Sequence, residues 1–280
     1  MTRGTTSALV RVLDGGQARS RSDLVVTEEP LEIRLASAGG ETRTVGVTMR
    51  TPGNDFELAA GFLRTEGVIG GHEDLRRIAY CGDGVADEQR YNVVTAWLAA
   101  AELPELSALE RYGTVTSACG VCGKASLDAL EVRGVAASDP SGGPLIAAAT
   151  LYALPDALRA AQGTFEATGG LHAAGLFSAA GDLACVREDI GRHNAVDKAI
   201  GWAVLARRLA DLAGSVLMVS GRAGFDIVQK AAAVGVPVVC AVSAPSSLAV
   251  QTAARFGITL VGFLRGRRAN VYTGSARISS

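Results

Sequence analysis

The chain has no dominant charge and contains few histidines and cysteines. Its 280 residues include 27 lysines and arginines against 28 aspartates and glutamates, for a formal net charge of −1. A chain without excess positive charge has no overall attraction for nucleic acid or for an anionic membrane. The 3 histidines and 5 cysteines leave few ligands for a structural metal site. The composition therefore argues against a nucleic-acid-binding or membrane-surface protein, and we expect no structural metal.

No segment has the form of an export signal or a membrane anchor. Arg11 and Asp14 interrupt the short apolar run near the N-terminus, so this run lacks a signal core. The uncharged stretch 231–254 is long enough to imitate a membrane span, but Pro237 and Pro245 divide it into a buried strand, a turn and helices. An odd number of cysteines without an export signal indicates reduced thiols. We expect a cytoplasmic protein.

The composition and length predict a globular protein of more than one part. The chain is 48% hydrophobic and 20% charged, as is usual for a folded domain, and its length suffices for two domains. The pattern predicts a flexible tail over 1–20, an α+β domain over 21–112, a cysteine loop with a helix and linker over 113–145, and an α/β domain over 146–280.

Local patterns predict the elements of both domains. In the first, they indicate a hairpin (27–35 and 41–49), a helix (56–65) and two strands (75–80 and 90–98). In the second, they indicate helices at 152–162, 194–209, 225–234 and 247–256, and strands at 173–179, 183–187, 215–220, 236–242 and 259–264. Alternating apolar strands and helices predict a parallel or mixed sheet that is covered on both faces.

The most informative feature is a pair of nearby cysteines. Cys119 and Cys122 lie in the segment SACGVCGK, and the glycine after each cysteine leaves its sulfur unshielded. The following residues, 124–130, predict a short helix, which would place both sulfurs near a helix N-terminus and near Lys124. Both features favour thiolate and lower the cysteine pKa from its usual value of about 8.5. The segment predicts a nucleophilic sulfur.

Other interpretations of the cysteine pair are open. A Cys-x-x-Cys pair is half of a zinc site, but Cys81, Cys185 and Cys240 form no second close pair. A thioredoxin-type redox pair would need a preceding strand and a firm helix, whereas the flanks here are rich in glycine and serine. A disulfide is disfavoured in a reducing compartment, and inert buried cysteines are not usually bracketed by glycines. The pair indicates reactive sulfur without naming a reaction.

Three polar loops follow the predicted parallel strands. They are residues 220–222, 243–247 and 263–268. In such a sheet the ligand crevice lies at the carboxyl ends of the strands, where these loops would meet. Serines before a helix leave N–H groups for an anion, and the arginines of the loops add positive charge. The predicted ligand carries phosphate or pyrophosphate, although each loop alone could be ordinary capping and turn chemistry.

A charge-rich segment, REDIGRHNAVDK, leads into the predicted helix at residue 194. Such a segment is usually a solvated face, and Asp189 or Asn194 could simply cap the helix. Asp189, Arg192 and His193 could equally bind a nucleotide through its base or ribose and a phosphate. Both interpretations stay open. Upstream, His172 follows a glycine pair, where a lone histidine is more often a core or turn residue than a proton donor near the cysteine loop.

Taken together, these segments resemble the FdhD/NarQ family of formate dehydrogenase accessory sulfurtransferases. The matching segments are residues 29–33, 48–53, 119–124, 168–174, 188–198, 220–222 and 243–246. They span nearly the whole chain in order, and the CGVCGK and EDIGRHN segments are the most specific. Two departures, Gly224-Phe225-Asp226 and Asn54-Asp55-Phe56, leave the detailed loop contacts open.

The resemblance implies a sulfur carrier. A cysteine desulfurase would load Cys119 with persulfide sulfur, and Cys122 would be the second sulfur. The sulfur would pass to the molybdenum bis-guanine-dinucleotide cofactor, bound as a substrate, before insertion into formate dehydrogenase. The implied cofactor loop is Phe263, Leu264, Arg265, Gly266, Arg267 and Arg268. The polar loops and the charge-rich segment supply further candidate cofactor-binding residues, which are Ser220, Gly221, Arg222, Ser243, Ser246, Asp189, Arg192 and His193.

The resemblance also implies a homodimer and a cytidine-deaminase-like three-layer sandwich with a mixed sheet in the C-terminal half. Zinc deaminases use His-x-Glu followed by Pro-Cys-x-x-Cys. The counterpart here is His172-Ala173-Ala174, with alanine in place of glutamate and no such cysteine motif after it, which disfavours zinc hydrolysis of a base. The remaining alternative is a chaperone of the apo-dehydrogenase that binds the guanine-nucleotide cofactor without transferring sulfur.

Overall fold

The structure, a computed structural model, describes residues 4–81, 91–105 and 142–279. The predicted Cys119–Cys122 loop and most of the predicted linker lie outside the described residues. The strands are β1 Thr5–Asp14, β2 Gln17–Val26, β3 Glu29–Ala36, β4 Thr42–Arg50, β5 Leu75–Tyr80, β6 Val93–Leu98, β7 Ile146–Ala147, β8 His172–Ser178, β9 Leu183–Asp189, β10 Ser215–Val219, β11 Val238–Ala241, β12 Thr259–Arg265, β13 Arg268–Thr273 and β14 Ile278–Ser279. The α-helices are α1 Asp55–Thr65, α2 Ala148–Ala160, α3 Gly163–Thr168, α4 Arg192–Leu205, α5 Phe225–Ala233 and α6 Ser247–Arg255.

The predicted flexible tail is wrong, because residues of the tail form a β-hairpin. β1 and β2 pair antiparallel over their full length, from Thr5 opposite Val26 to Asp14 opposite Gln17. Gly15 and Gly16 form the turn with φ values of 54° and 83°, a conformation that favours glycine. A glycine pair between two alternating segments is a hairpin signal, and the polar composition of this region concealed it.

The N-terminal sheet has four strands in the order β4-β3-β6-β5. β3 pairs antiparallel with β4 and parallel with β6, and β5 pairs antiparallel with β6. Leu58 and Leu63 of α1 pack onto the apolar face of this sheet, beside Leu31 and Val94. The predicted hairpin, helix and strands of this region are confirmed.

The C-terminal sheet has six strands in the order β13-β12-β11-β10-β8-β9. β10, β11 and β12 are parallel neighbours, and the outer pairs are antiparallel. One face packs against α4, α5 and α6, and the other against α2. The prediction of a mixed α/β sheet between two helical layers is confirmed. The likeness to cytidine deaminases stays a prediction.

Local patterns missed β13 and the short helix α3. The predicted loop 263–268 is the end of β12, a tight turn and the start of β13, which pair antiparallel. None of the six residues of β13 is buried and three are exposed, so the strand lacks the apolar face of a buried strand. An edge strand with little buried surface gives a weak sequence signal.

The two parts meet through the crossing of α1 with α4. Gly61 and Gly201 lie at the crossing, where each faces the backbone of the other helix. A Cβ atom on Gly201 would lie 1.8 Å from the Glu57 carbonyl oxygen, and one on Gly61 would lie 1.8 Å from the Asp197 carbonyl oxygen. Only glycine permits backbones to approach this closely.

Within the described residues, no helix is long and apolar enough to cross a membrane.

Candidate functional site

The three predicted polar loops meet at the carboxyl ends of β10, β11 and β12. The Ser243 amide donates to the Gly221 carbonyl at 3.3 Å, and the Phe263 amide donates to the Ser243 carbonyl at 3.1 Å. The Ser246 amide donates to the Ala223 carbonyl at 3.1 Å. The expected convergence of these loops at one edge of the sheet is confirmed, and this edge is the candidate site.

Two of the serines use their hydroxyl groups to hold the backbone at this edge. The Ser220 hydroxyl accepts a hydrogen bond from the Ala173 amide at 2.9 Å. The Ser246 hydroxyl accepts from the Ala249 amide at 3.2 Å and caps α6. For these two side chains the capping interpretation holds, because each hydroxyl already has a backbone donor. They shape the edge, and ligand contact at them would use their remaining hydrogen-bonding capacity.

The end of β12 carries backbone strain, and the turn that follows it carries positive charge. Phe263 has a φ of 51°, and the strand register shifts between Gly262 and Arg265. A bulky residue in the left-handed region is rare and costs about 1–3 kcal/mol. Leu264 is fully buried in the core below the sheet, so its side chain does not face a ligand. The exposed residues of the turn are Arg265, Gly266, Arg267 and Arg268.

Asp189 is buried inside the protein, away from the surface of the crevice. Its side chain is 0% exposed and lies 2.7 Å from the Lys198 ammonium group, which is 1% exposed. It also accepts hydrogen bonds from the amides of Thr51 at 3.1 Å and Gly191 at 2.8 Å, and from the Asn194 side chain at 3.0 Å. A buried carboxylate with four protein partners is satisfied. The geometry therefore gives Asp189 a role in holding this edge rather than direct access to a ligand.

The network around Asp189 joins two of the segments that the sequence singles out. The Thr51 hydroxyl accepts from the Ile190 amide at 3.2 Å, and the Thr51 carbonyl accepts from Lys198 at 2.8 Å. The Asn194 side chain also donates to the Met49 carbonyl at 2.7 Å. Residues 48–53 therefore dock onto residues 188–198 through buried polar contacts. The sequence could not show that these distant segments are partners.

The residue before Thr51 is a buried arginine. Arg50 is 0% exposed and pairs with Asp55 at 3.0 Å and with Glu29 at 3.2 Å. The Tyr80 hydroxyl donates to Asp55 at 3.0 Å. Burial, followed by the nearby Asp55 charge, raises the pKa of Tyr80 above its usual value and keeps this phenol protonated. Because fully paired buried charges lock geometry, the Arg50 cluster fixes the segment that meets Asp189.

Arg192 and His193 begin α4 at the same edge, with different surroundings. Arg192 is 31% exposed, and its Nε donates to Asp226 at 3.1 Å. Burial, with the positive charge of Lys230, lowers the pKa of His193 to about 4, so its ring is neutral at physiological pH. Its Nε2 atom is buried and has no hydrogen-bond partner among the described residues. Arg192 can supply charge to a ligand, whereas His193 cannot.

His172, which the sequence placed in a turn or core, lies at the same edge. It begins β8 opposite Asp189, and a Cβ atom on Gly221 would lie 3.1 Å from its Nδ1. Burial first, and then the charges of Arg192 and Arg222, lower the pKa of His172, while Asp189 raises it. The sequence did not place His172 among the cofactor-binding residues, because the pairing of β8 with β10 that brings it to this edge is visible only in the fold.

Two of the described cysteines, Cys185 and Cys240, lack the environment of a sulfur nucleophile. Burial raises the pKa of Cys185 and of Cys240 to about 12, and a thiol with so high a pKa has little thiolate. No group of three His, Cys, Asp or Glu side chains suited to a metal occurs in residues 4–81, 91–105 and 142–279. Cys119 and Cys122 lie outside these ranges, so their reactivity stays a prediction.

We expect Cys185 and Cys240 of the native protein to resist alkylation by iodoacetamide at pH 8, since each thiol is buried and protonated. Cys119 and Cys122 should react much faster. Peptide mass mapping after brief labelling measures each site, and the denatured protein, in which all cysteines should react, is the control. Labelling of native Cys240 as fast as Cys119 would contradict the assignment.

Comparisons with known proteins find relatives over nearly the whole chain. The FdhD/NarQ family profile matches residues 26–279. A protein named sulfur carrier protein FdhD from Mycolicibacterium paratuberculosis is 54% identical over 277 residues, which cover 98% of each chain. The protein of that name from Mycobacterium tuberculosis is 51% identical over 284 residues, which cover 100% of each chain.

A solved structure shares the fold. It is a crystal structure from Desulfotalea psychrophila of a protein assigned as a formate dehydrogenase accessory protein, with a TM-score of 0.73 and 26% identity. The match covers 98% of this chain and 99% of that one. With the profile and the relatives, it shows that this chain belongs to the FdhD/NarQ family.

Proposed function

We propose that this protein takes sulfur from a cysteine desulfurase onto Cys119 and transfers it to the molybdenum bis-guanine-dinucleotide cofactor. The cofactor is bound as a substrate before it enters formate dehydrogenase. The observation that carries the proposal is the crevice edge, where three loops with exposed Arg222, Arg265, Arg267 and Arg268 converge. Its relatives, named sulfur carrier proteins, supply the reaction class. The working unit that we propose is a cytoplasmic homodimer.

The first step loads sulfur onto the protein. The Cys119 thiolate attacks the terminal sulfur of the desulfurase persulfide, and the sulfur–sulfur bond of the donor breaks. The desulfurase cysteine leaves as a thiolate, and Cys119 carries the persulfide. No net oxidation occurs, because the sulfane sulfur moves between two thiols. A thiolate at the attacking cysteine is the chemical requirement of this step.

The second step releases the sulfur. The Cys122 thiolate attacks the Cys119 Sγ atom, the persulfide bond breaks, and the terminal sulfur leaves as sulfide toward the metal of the bound cofactor. The two cysteine sulfurs are oxidised to a disulfide while the sulfane sulfur is reduced. A cellular dithiol reductant then restores both thiols. This sequence assigns Cys119 as the carrier and Cys122 as the resolving residue.

The cofactor binds at the crevice edge through charge. A bis-guanine-dinucleotide carries two pyrophosphates, and exposed arginines are suited to binding phosphate oxygens in pairs. Asp226 orients Arg192 through its ion pair, so one guanidinium edge is held in place. Ser243 is half-buried between the other two loops. These groups hold and orient the anionic part of the substrate.

Mass spectrometry tests the sulfur transfer. After incubation with a cysteine desulfurase and L-cysteine, we expect the Cys119–Cys122 peptide to gain one sulfur atom that a reductant removes. Cys119→Ala should abolish this gain, because it removes the sulfur that we propose as the carrier. Cys81→Ala replaces a half-buried cysteine outside the pair and should retain the gain as a matched control.

Cofactor binding separates the two roles. Cys119→Ala should still bind the molybdenum cofactor, because the crevice edge is formed by other residues. Loss of both sulfur transfer and binding in Cys119→Ala would contradict this division. Failure of the natural sequence to gain sulfur while it binds the cofactor would instead support the chaperone alternative.

A further inference from the structure

The crevice edge contains a cluster of three basic side chains that arrive on three different segments. His172 is the first residue of β8, Arg192 is the first residue of α4, and Arg222 follows β10. β8 and β10 lie side by side, and the Ser220 amide donates to the Ala173 carbonyl at 3.0 Å. This pairing brings the start of β8 against the loop that carries Arg222. The fold therefore concentrates positive charge around one half-buried imidazole.

The two arginines are not fully neutralised. Arg192 uses its Nε for Asp226 and keeps 31% of its side chain exposed. Arg222 is exposed, and no carboxylate of the described residues forms an ion pair with it. The N-cap of α4 is Gly191, which has no side chain to cap the helix. A long helix that begins here adds favourable potential for an anion.

His172 fits this charge only in its neutral form. The groups that face it are Arg192 from α4, Arg222 from the loop after β10, and Asp189 from the end of β9. Asp189 is already engaged by Lys198 at 2.7 Å, so it compensates little of the positive charge. Burial and the two arginines therefore lower the pKa of His172.

We propose that His172 is a ligand-binding residue of the crevice that accepts a proton from solvent as a phosphate group binds beside Arg192 and Arg222. The incoming anion offsets the positive charge of both arginines and so favours the protonated imidazolium. Because both ring nitrogens of the imidazolium carry a proton, it can donate a second hydrogen bond. No covalent bond changes, and the only particle exchanged is the solvent proton. The inference rests on the proposed function for the identity of the ligand, the pyrophosphate of the cofactor.

The consequence is that phosphate affinity depends on pH through this residue. In the free protein His172 loses its proton at a lower pH than in the complex. Around these two pKa values binding takes up protons, so affinity falls as the pH rises, by about tenfold in total for a pKa rise of about one unit. Below both values the imidazole is already charged, and above both it stays neutral, so the dependence disappears at each end.

Nuclear magnetic resonance of the full chain with inorganic pyrophosphate tests the proposal. The chain has only 3 histidines, so the ring signals are few and His172→Gln identifies the relevant one. In the free protein we expect the pKa of His172 to lie below the ordinary histidine value of about 6.5. We expect this pKa to rise by about one unit when pyrophosphate binds. Chloride at matched ionic strength should not produce this rise. An unchanged His172 titration with pyrophosphate bound, or no binding at all, would overturn the proposal.

Two variants separate proton uptake from a structural role. His172→Gln should bind pyrophosphate with a flatter pH profile than the natural chain, and this comparison cancels the ionisation of pyrophosphate itself. Arg222→Gln alters an exposed side chain, so it should fold, raise the His172 pKa in the free protein and weaken binding at least threefold. Arg76→Gln, an exposed change on β5, should alter neither quantity. An Arg222→Gln protein with an unchanged His172 titration would contradict the cluster.

The proposed function has a separate measurement. Sulfur loading of Cys119 is followed by mass spectrometry without pyrophosphate. Failure of the His172 titration to respond, with sulfur loading intact, removes this inference and leaves the sulfur-carrier proposal standing. Loss of sulfur loading with a normal His172 response would have the opposite meaning.

Discussion

Gly201→Ala is expected to destabilise the protein by about 3 kcal/mol or more, at the upper end of overpacking costs. The new Cβ atom would lie 1.8 Å from the Glu57 carbonyl oxygen and 2.8 Å from the Gly61 amide nitrogen. Both atoms belong to the α1 backbone, so no side-chain rotation can relieve the overlap. The helices must separate, and the core between α1 and α4 must open. Alanine in an unobstructed helix would instead stabilise it by about 1 kcal/mol relative to glycine.

Denaturant unfolding followed by circular dichroism measures the change. Gly61→Ala should give a similar loss, because its Cβ atom would lie 1.8 Å from the Asp197 carbonyl oxygen. Gly163→Ala is the matched control: nothing lies within 4 Å of the new atom, so the protein should not lose stability and should gain at most about 1 kcal/mol. A Gly201→Ala protein as stable as Gly163→Ala would show that the helices do not cross this closely.

Local patterns in the sequence were sufficient for most elements of the two sheets. The hairpin of β3 and β4 and the strand β5 follow from alternation and turn residues, which act over a few positions. The edge that holds Ser243 and Arg222 also followed, because the carboxyl ends of parallel strands always lie together. Such features depend on neighbours in the chain and on general topology.

Contacts between distant residues were out of reach of the same reasoning. The sequence gives no sign that Thr51 meets Asp189, because that contact depends on how the two sheets dock. It also gives no sign that His172 lies against Gly221, because that contact depends on the pairing of β8 with β10. Asp189 illustrates the limit: a carboxylate in a charge-rich segment looks suited to a ligand, yet it is 0% exposed. Whether a polar residue faces outward or inward is decided by packing, which periodicity does not encode.

Asp189→Asn is expected to cost about 3–5 kcal/mol, the usual result of removing one partner of a buried ion pair. The substitution keeps the size of the side chain but leaves the Lys198 ammonium, which is 1% exposed, without its counter-ion at 2.7 Å. The substitution also replaces one carboxylate oxygen, which accepts hydrogen bonds, by an NH2 group, which cannot accept from the donors of Thr51, Gly191 and Asn194. Unfolding free energy in denaturant is the measurement.

Paired variants isolate the charge from the rest of the network. Asp189→Asn combined with Lys198→Met removes both charges and should recover part of the loss, because no uncompensated ion stays buried. Asp211→Asn breaks the exposed pair with Arg208, whose side chains are 52% and 48% exposed, and should cost no more than about 1 kcal/mol. A double variant no more stable than Asp189→Asn would place the cost in the lost hydrogen bonds.

The network around Asp189 sets the start of α4, and therefore also the position at which Arg192 meets the crevice. Asp189→Asn should for this reason weaken both stability and ligand binding.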